Sequence, residues 1–270
     1  MKRSIQVLCA AFAAGSLVLV AAPAAAQSSR LPSSDWRQTD RVDATKGRGS
    51  PQNFTFELRF GAYSPDIDSE FGGGATPYAD VFNTNPQFYF GLEFDYLPLR
   101  IPYVGAFGLG LGWGWTHTST TAKTESGAES AEETSLTIMP MHASAVLRLD
   151  ELMRRTGVPI VPYGKFGFGL GLWKSEDGDE IATSTRTNPD GTTQIVEAKG
   201  NTTGLHMALG GMLSLDFIDP RAAARLDDST GVNHAYIFGE WMNANLNGFG
   251  QSGQLRVGSS TWVLGLAIDM

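Results

Sequence analysis

The sequence is poor in cysteine and has no cluster of positive charge. Its 270 residues include a single cysteine, Cys9, which lies in an apolar stretch near the start of the chain. With that stretch removed, the chain has no thiol, which excludes disulfides, thiolate metal sites and a cysteine nucleophile. Acidic residues outnumber basic ones by 28 to 20, and no run of Lys and Arg occurs. This balance argues against a nucleic-acid surface.

Long hydrophobic runs are also scarce, and the one at the N-terminus has the pattern of a signal peptide. Two basic residues precede the apolar run at 5–20, and three alanines at 24–26 match a small-residue cleavage site. Because the run nearly reaches membrane-spanning length, an uncleaved anchor helix is the alternative. We predict a signal peptide at 1–26. A flexible periplasmic N-terminal tail follows at 27–53, which is polar and has no hydrophobic period.

Glycine, by contrast, is abundant, and in two segments it alternates with large apolar residues. These segments are 104–117 (VGAFGLGLGWGWTH) and 163–174 (YGKFGFGLGLWK). A period of two indicates β-strands, since successive side chains of an extended chain point to opposite faces. One face of each strand is bulky and apolar and the other is almost bare, whereas a half-buried soluble strand carries polar side chains toward water. The pattern predicts apolar surroundings on one side and a crowded interior on the other.

Eight segments in all have strand periodicity, and the connections between them alternate in length. The predicted strands are 54–63, 88–96, 104–117, 136–150, 163–174, 204–217, 234–245 and 261–270. The connections at 64–86, 118–134 and 175–201 are long and polar. Those at 98–102 and 151–156 are short, and the second of them could form a helical turn.

Two connections contain further local signals. Residues 188–191 (NPDG) lie between polar, β-prone arms, which predicts a hairpin standing beyond the main body. Residues 219–226 (DPRAAARL) predict a short helix, with Asp219 as its N-cap and Pro220 in its first turn.

Strands with alternating long and short connections are typical of an outer-membrane β-barrel. In hydrocarbon every backbone donor and acceptor must be satisfied within the protein, so strands cross a membrane only as a closed ring. A soluble β-sandwich is the alternative, but it would expose polar side chains where two of these strands have glycine. We predict an all-β fold, an eight-stranded antiparallel up-and-down transmembrane β-barrel at 54–270. The residues predicted to face lipid are Phe88, Phe90, Phe107, Leu109, Leu111, Trp113, Phe166, Phe168, Trp262 and Leu264.

The opposite parity of these strands carries charges of both signs, which we predict to pair across the interior. Unpaired burial of any one of them would be costly. An eight-stranded barrel is just wide enough for its own side chains to fill it, so we expect a plugged or ligand-sized lumen. The predicted lumenal charge network comprises Glu57, Arg59, Glu93, Asp95, Arg148, Lys165, Asp216, Glu240 and Asp269.

A His-x-Ser pair, His142 and Ser144, is the one motif that suggests catalysis. It resembles the pair of the outer-membrane lipid A deacylases, in which the serine is a nucleophile and the histidine its base. Ala145 stands where that family has Asn, no acidic partner follows at a recognisable spacing, and strand parity turns both residues to the lumen. We therefore predict a lumenal hydrogen-bonding pair and no catalytic residue. The four histidines form no close metal-binding pair, so no metal or cofactor is predicted.

Several segments resemble known outer-membrane proteins. The last six residues, GLAIDM, are similar to the C-terminal signal that the outer-membrane insertion machinery recognises, with Met270 in place of the usual final aromatic residue. Four longer segments, at 56–82, 99–115, 231–242 and 248–267, resemble an uncharacterised family of outer-membrane β-barrels found mainly in myxobacteria and their relatives. The family has eight strands and the size of OmpA or OmpW. The resemblance implies a barrel fold and an outer-membrane location, and it implies no activity.

These observations predict a non-enzymatic protein of the bacterial outer membrane with a structural, adhesion or surface-recognition role. One alternative is a narrow channel or a binding barrel for small or apolar solutes. The other is a hydrolase similar to the lipid A deacylases. The predicted partners are outer-membrane lipids and lipopolysaccharide, and the insertion machinery during biogenesis; no nucleic acid is expected.

Overall fold

The structure, a computed structural model, describes residues 53–123, 129–187, 191–218, 223, 226, 229–251 and 253–270, with 122, 123 and 129–132 described by backbone alone. The predicted signal peptide and the predicted tail up to residue 52 lie outside the described residues. So do residues 188–190 of the predicted hairpin turn and most of the predicted helix at 219–226. No helix in the described ranges is long and apolar enough to cross a membrane.

Strands dominate the described part of the chain. They are β1 (Phe54–Tyr63), β2 (Gln87–Ile101), β3 (Gly105–Lys123), β4 (Glu129–Arg148), β5 (Ile160–Asp177), β6 (Glu180–Ile181), β7 (Thr183–Thr187), β8 (Thr193–Glu197), β9 (Lys199–Ser214), β10 (His234–Asn245) and β11 (Ser259–Asp269). The connections contain the short helices α1 (Pro77–Phe82) and α2 (Glu151–Thr156) and the 3-10 helices Ile67–Phe71 and Gly248–Gly250.

Eight of these strands form one closed antiparallel ring. The order of hydrogen-bonded neighbours is β4-β3-β2-β1-β11-β10-β9-β5, and β5 pairs back to β4. Where the first and last strands meet, Phe54 N donates to Met270 O (3.1 Å) and Met270 N donates to Phe54 O (2.9 Å). The predicted eight-stranded antiparallel up-and-down barrel is confirmed. Below, the terminal end of the barrel is the one with Phe54 and Met270, and the loop end is the opposite one.

The strands extend further than their periodicity indicated, most of all at the loop end. The segment 118–134, predicted as a loop, is mostly strand, because β3 continues to Lys123 and β4 begins at Glu129. Its threonines pair across the two strands, as in Thr120 opposite Thr134, and Thr is a good strand former despite its polarity. The predicted turn at 98–102 is also largely strand, since β2 runs on to Ile101 after a register shift.

The outer wall of the barrel is apolar. Large side chains on it are widely exposed, with exposed fractions of 66% for Leu109, 69% for Phe168 and 70% for Trp262. All ten residues predicted to face lipid lie on this wall, and seven of them are exposed. The other three, Phe90, Phe107 and Trp113, are half-buried, and the rings of Phe90 and Trp113 cover each other with centroids 6.5 Å apart. The wall therefore offers a continuous apolar surface.

The connection between β1 and β2 is more ordered than its polar composition suggested. It contains the 3-10 helix Ile67–Phe71 and α1, where the sequence predicted only a loop. Asp68 holds the start of α1, because its two carboxylate oxygens accept hydrogen bonds from the N–H groups of Tyr78 (2.8 Å) and Ala79 (3.0 Å). This carboxylate comes from ten residues upstream, a long-range cap that a local N-cap pattern does not reveal.

A separate hairpin stands outside the ring at the loop end. It consists of β7 and β8, which pair from Thr183 opposite Glu197 to Thr187 opposite Thr193. All ten residues of the two strands are exposed. The arms thus agree with the hairpin predicted around 188–191. At the terminal end, the helical turn predicted at 151–156 is α2, which ends at Gly157 in the left-handed conformation.

Candidate functional site: the barrel interior and a cavity at the loop end

The middle of the barrel holds a cluster of paired charges. Arg59 on β1 pairs with Glu93 on β2 and with Glu240 on β10, and the three side chains are fully buried. Lys165 Nζ on β5 lies 2.8 Å from Glu57 Oε2 and 2.9 Å from Glu93 Oε2. A buried carboxylate is costly unless a cation and hydrogen bonds compensate for its lost hydration. In these five residues, which we call the central cluster, each of the three carboxylates pairs with at least one cation.

The strand register explains why the central cluster must reach across the barrel. Glu57 and Glu93 lie directly opposite each other on the neighbouring strands β1 and β2, and like charges in that position destabilise a strand pair. Lys165 comes from β5, on the far side of the ring, and contacts both carboxylates. Tyr163 Oη, also on β5, donates to Glu240 Oε2 at 2.8 Å. The cluster therefore ties opposite walls of the barrel together.

A second group of charges closes the terminal end. Arg148 Nη1 donates to Asp269 Oδ1 (2.8 Å) and to Thr55 Oγ1 (2.6 Å), and Thr55 Oγ1 donates to Asp269 Oδ1 (2.7 Å). The guanidinium also lies over the ring of Tyr236, 5.3 Å from its centroid, which is a favourable cation–π geometry. Strands β1, β4 and β11 are joined by these contacts. Only a small cavity of about 10 Å³ remains beside them.

Two of the nine predicted lumenal charges, Asp95 and Asp216, belong to neither of these two groups of paired charges. Asp95 is buried in the interior, yet neither carboxylate oxygen has a hydrogen-bond partner among the described residues. Asp216 lies beyond the end of β9, where the alternation of inward and outward side chains no longer applies, and it bonds His234 at the terminal end. Burial raises the pKa of Asp216, but the hydrogen bond with His234 and its charge outweigh burial and hold this pKa below its ordinary value.

Two histidines that are far apart in the sequence meet in the interior. The rings of His142 on β4 and His206 on β9 stack with centroids 3.7 Å apart and planes 2° from parallel. His142 Nε2 also lies 3.4 Å from Glu93 Oε1, which links the stack to the central cluster. Sequence reasoning paired His142 with Ser144 and did not relate it to His206. The sequence shows only their shared inward parity; the strand register shows that they lie opposite glycines, Gly112 and Gly167, on neighbouring strands.

Large side chains fill the space that the glycine-lined strands leave open. A Cβ atom added to Gly112 would collide with the ring of His142. On β5, a Cβ added to Gly169 would lie 2.6 Å from Leu246, and one on Gly171 would lie 2.5 Å from Val257. These last two side chains come from the connection between β10 and β11, which folds into the mouth of the barrel. The bare faces thus receive side chains from other elements, as expected for a narrow barrel.

The described residues of the interior do not form an assembled catalytic or metal-binding set. His142 contacts Glu93 and His206, and Ser144 Oγ is buried without a hydrogen-bond partner among the described residues. Activation of a serine nucleophile would require a hydrogen bond between His142 and Ser144, and the two side chains do not form one. Within the described ranges, no three His, Cys, Asp or Glu residues gather where a metal ion could be held.

A cavity of about 380 Å³ opens at the loop end. It lies between the end of β1, the end of β10 and the start of β11, and its lining is partly polar and partly apolar. Three asparagines face it, Asn243, Asn245 and Asn247, together with Asp66 and Arg256. Its volume falls in the range of small-molecule sites, about 300–1,000 Å³.

Comparisons with known proteins add little beyond the fold. No family model and no curated protein matches the chain. Among solved structures, Ail, the attachment invasion locus protein of Yersinia pestis, is 13% identical with a TM-score of 0.39, over 81% of this chain and 99% of that one. The N-terminal β-barrel domain of Pseudomonas aeruginosa OprF is 11% identical with a TM-score of 0.32, over 81% and 98%. These values are too low to transfer a function, and the barrel architecture follows from the strand pairing itself.

Proposed function

We propose that the protein is a non-enzymatic barrel of the bacterial outer membrane that presents its loop end for surface recognition or adhesion. The observation that carries the proposal is the inverted distribution of polar and apolar side chains. Arg59, Glu93 and Glu240 are fully buried, whereas Leu109 and Phe168 are about two-thirds exposed on the wall. A protein surrounded by water buries its large apolar residues and exposes its charges. A barrel surrounded by lipid has the reverse arrangement.

The closed ring supports the same location. Hydrocarbon offers no hydrogen-bonding partners, so a membrane-spanning sheet must leave no open edge, and the pairing of β4 with β5 and of β1 with β11 meets this requirement. In this proposal the terminal end faces the periplasm and the loop end faces outward. Outer-membrane lipids and lipopolysaccharide would then surround the wall.

The hairpin of β7 and β8 supports a recognition role for the loop end. It projects from the ring with every side chain exposed, and Ile195 has an exposed fraction of 72%. In this proposal the hairpin stands beyond the outer membrane surface, where its exposed side chains are accessible to a partner. The channel alternative has less support, because paired charges and packed side chains fill the barrel between its two ends.

Location and orientation can be tested with one pair of insertions. A short epitope is inserted after Gly191, at the edge of the hairpin turn, and in a second protein after Gly157, behind α2 at the terminal end. We expect both proteins in the outer-membrane fraction, with folded and heated forms of different gel mobility. Antibody should label intact cells only for the Gly191 insertion. Recovery in the soluble periplasm, or labelling of intact cells through Gly157, would contradict the proposal.

A further inference from the structure

The cavity at the loop end has unused hydrogen-bonding capacity. In the described part of the chain, the side-chain amides of Asn243, Asn245 and Asn247 make no hydrogen bond to protein, although all three line the cavity. Each amide has two N–H donors and a carbonyl acceptor. Three such groups around one space of about 380 Å³ can bind a ligand that both donates and accepts hydrogen bonds at several points.

Hydroxyl groups extend the same chemistry. Ser259 Oγ accepts a hydrogen bond from Ser64 N (3.2 Å), and Ser260 Oγ accepts one from Trp241 Nε1 (3.0 Å). Both serines line the cavity. Because each oxygen is used here as an acceptor, its hydroxyl hydrogen can be donated to a ligand. The lining therefore includes hydroxyl donors as well as amide donors and acceptors.

The charges at the cavity argue for a ligand without net charge. The lining contains one anion, Asp66, and one cation, Arg256. The guanidinium is already engaged, since Arg256 Nη1 donates to Ser69 Oγ (3.2 Å) and to Ser69 O (3.4 Å). An anionic ligand would call for several cations, and a divalent cation for several carboxylates. The cavity supplies neither set.

We propose that this cavity binds a neutral saccharide unit through its asparagine amides and serine hydroxyls. A sugar ring carries adjacent hydroxyls, each a donor and an acceptor, which matches this lining. The sugar could belong to lipopolysaccharide in the surrounding leaflet or to a free glycan. The inference adds a ligand class to the recognition role proposed above. Binding in detergent does not depend on where the protein is located in the cell. Failure of the binding test therefore leaves the membrane proposal unaffected, and failure of the location test leaves the saccharide proposal unaffected.

Saturation-transfer NMR on the purified full-length protein tests the inference. The protein is kept in lauryldimethylamine oxide, a detergent without a sugar headgroup, and the probes are maltose, a neutral outer-core oligosaccharide from lipopolysaccharide and dextran sulfate. We expect signal transfer to at least one of the first two. Transfer to the core oligosaccharide alone identifies lipopolysaccharide as the source of the sugar. Transfer to maltose shows that the cavity also accepts free glycans. Transfer to dextran sulfate alone, or to no probe, would overturn the proposal.

Matched variants then locate the site. The double variant Asn243→Ala/Asn245→Ala should weaken binding at least about tenfold, the effect of losing two ordinary hydrogen bonds. Asn201→Ala is the control, because Asn201 is an exposed residue of β9 that does not line the cavity. Asn247→Ala serves as a second variant outside the strands in case the double variant does not fold. Unchanged binding in the folded cavity variants would show that the saccharide binds elsewhere.

Discussion

His142 and His206 lie face to face inside the barrel, with ring centroids 3.7 Å apart, and the backbone of Gly112 leaves the space that one of these rings occupies. The glycine and His142 are directly opposite each other on β3 and β4. A bare residue on one strand therefore accommodates a large side chain on the next. This relationship gives the glycine-alternating strands a steric role that can be measured.

Replacing Gly112 with Ala should destabilise the barrel by about 1–3 kcal/mol, because its Cβ would collide with the His142 imidazole. Adding His142→Ala should make the combined loss smaller than the sum of the two single losses, since the collision disappears. Urea unfolding in detergent, followed by tryptophan fluorescence, measures all three variants. Gly211→Ala is the control, because a Cβ there would meet no atom within 4 Å. Strict additivity would contradict the steric explanation.

Replacing Arg59 with Met should cost about 3–5 kcal/mol of unfolding free energy, since it leaves Glu240 buried without its cation and Glu93 with only Lys165. The same substitution at Arg155, whose side chain is 54% exposed in its pair with Glu151, should cost less than about 1 kcal/mol. Reversible unfolding of both variants under identical conditions gives the comparison. Equal losses would mean that the central cluster contributes no more than a surface ion pair.

Two apolar residues with similar exposure should respond differently to a charge. Phe168→Lys, near the middle of β5, should destabilise the protein in lipid vesicles by about 2–4 kcal/mol, because the wall would place the charge in hydrocarbon. Ile195→Lys, on the hairpin, should change stability by no more than about 0.5 kcal/mol, as is usual at a water-exposed site. The exposed fractions are 69% and 72%, so exposure alone does not separate them. If Phe168→Lys left the stability unchanged, the wall around Phe168 would be in contact with water.

The pair of Asp216 and His234 should make stability sensitive to acid. Because the pKa of Asp216 in the folded protein lies below its ordinary value of 3.8, its ionised form stabilises the fold above that value, and the contribution is lost as pH falls through the lowered pKa. The difference in unfolding free energy between the native protein and Asp216→Asn should therefore shrink as pH falls below about 4. A difference that grows on acidification would contradict this assignment.

The sequence predicted which side chains point outward and inward better than it predicted their contacts across the lumen. The period of two placed Phe168 outward and Lys165 inward without any knowledge of strand pairing, because side-chain direction is a local property of an extended chain. Contacts across the lumen depend on register and on which walls face each other, and these are set by the whole ring. Thus no sequence spacing related Lys165 to Glu57, or His142 to His206. The helix α1 was missed for a similar reason, since Asp68 caps it from a distance.

The β1–β11 junction determines when the barrel can be completed. Its side-chain hydrogen bond from Thr55 to Asp269 spans 214 positions, whereas each of the other seven junctions joins two strands of the ring that are consecutive along the chain. Until the last strand arrives, β1 and β10 each have an unpaired edge, which invites aggregation in water and is costly in lipid. Assembly is therefore expected to be slow and to need a helper that covers these two edges. The outer-membrane insertion machinery is the partner that we propose for that step.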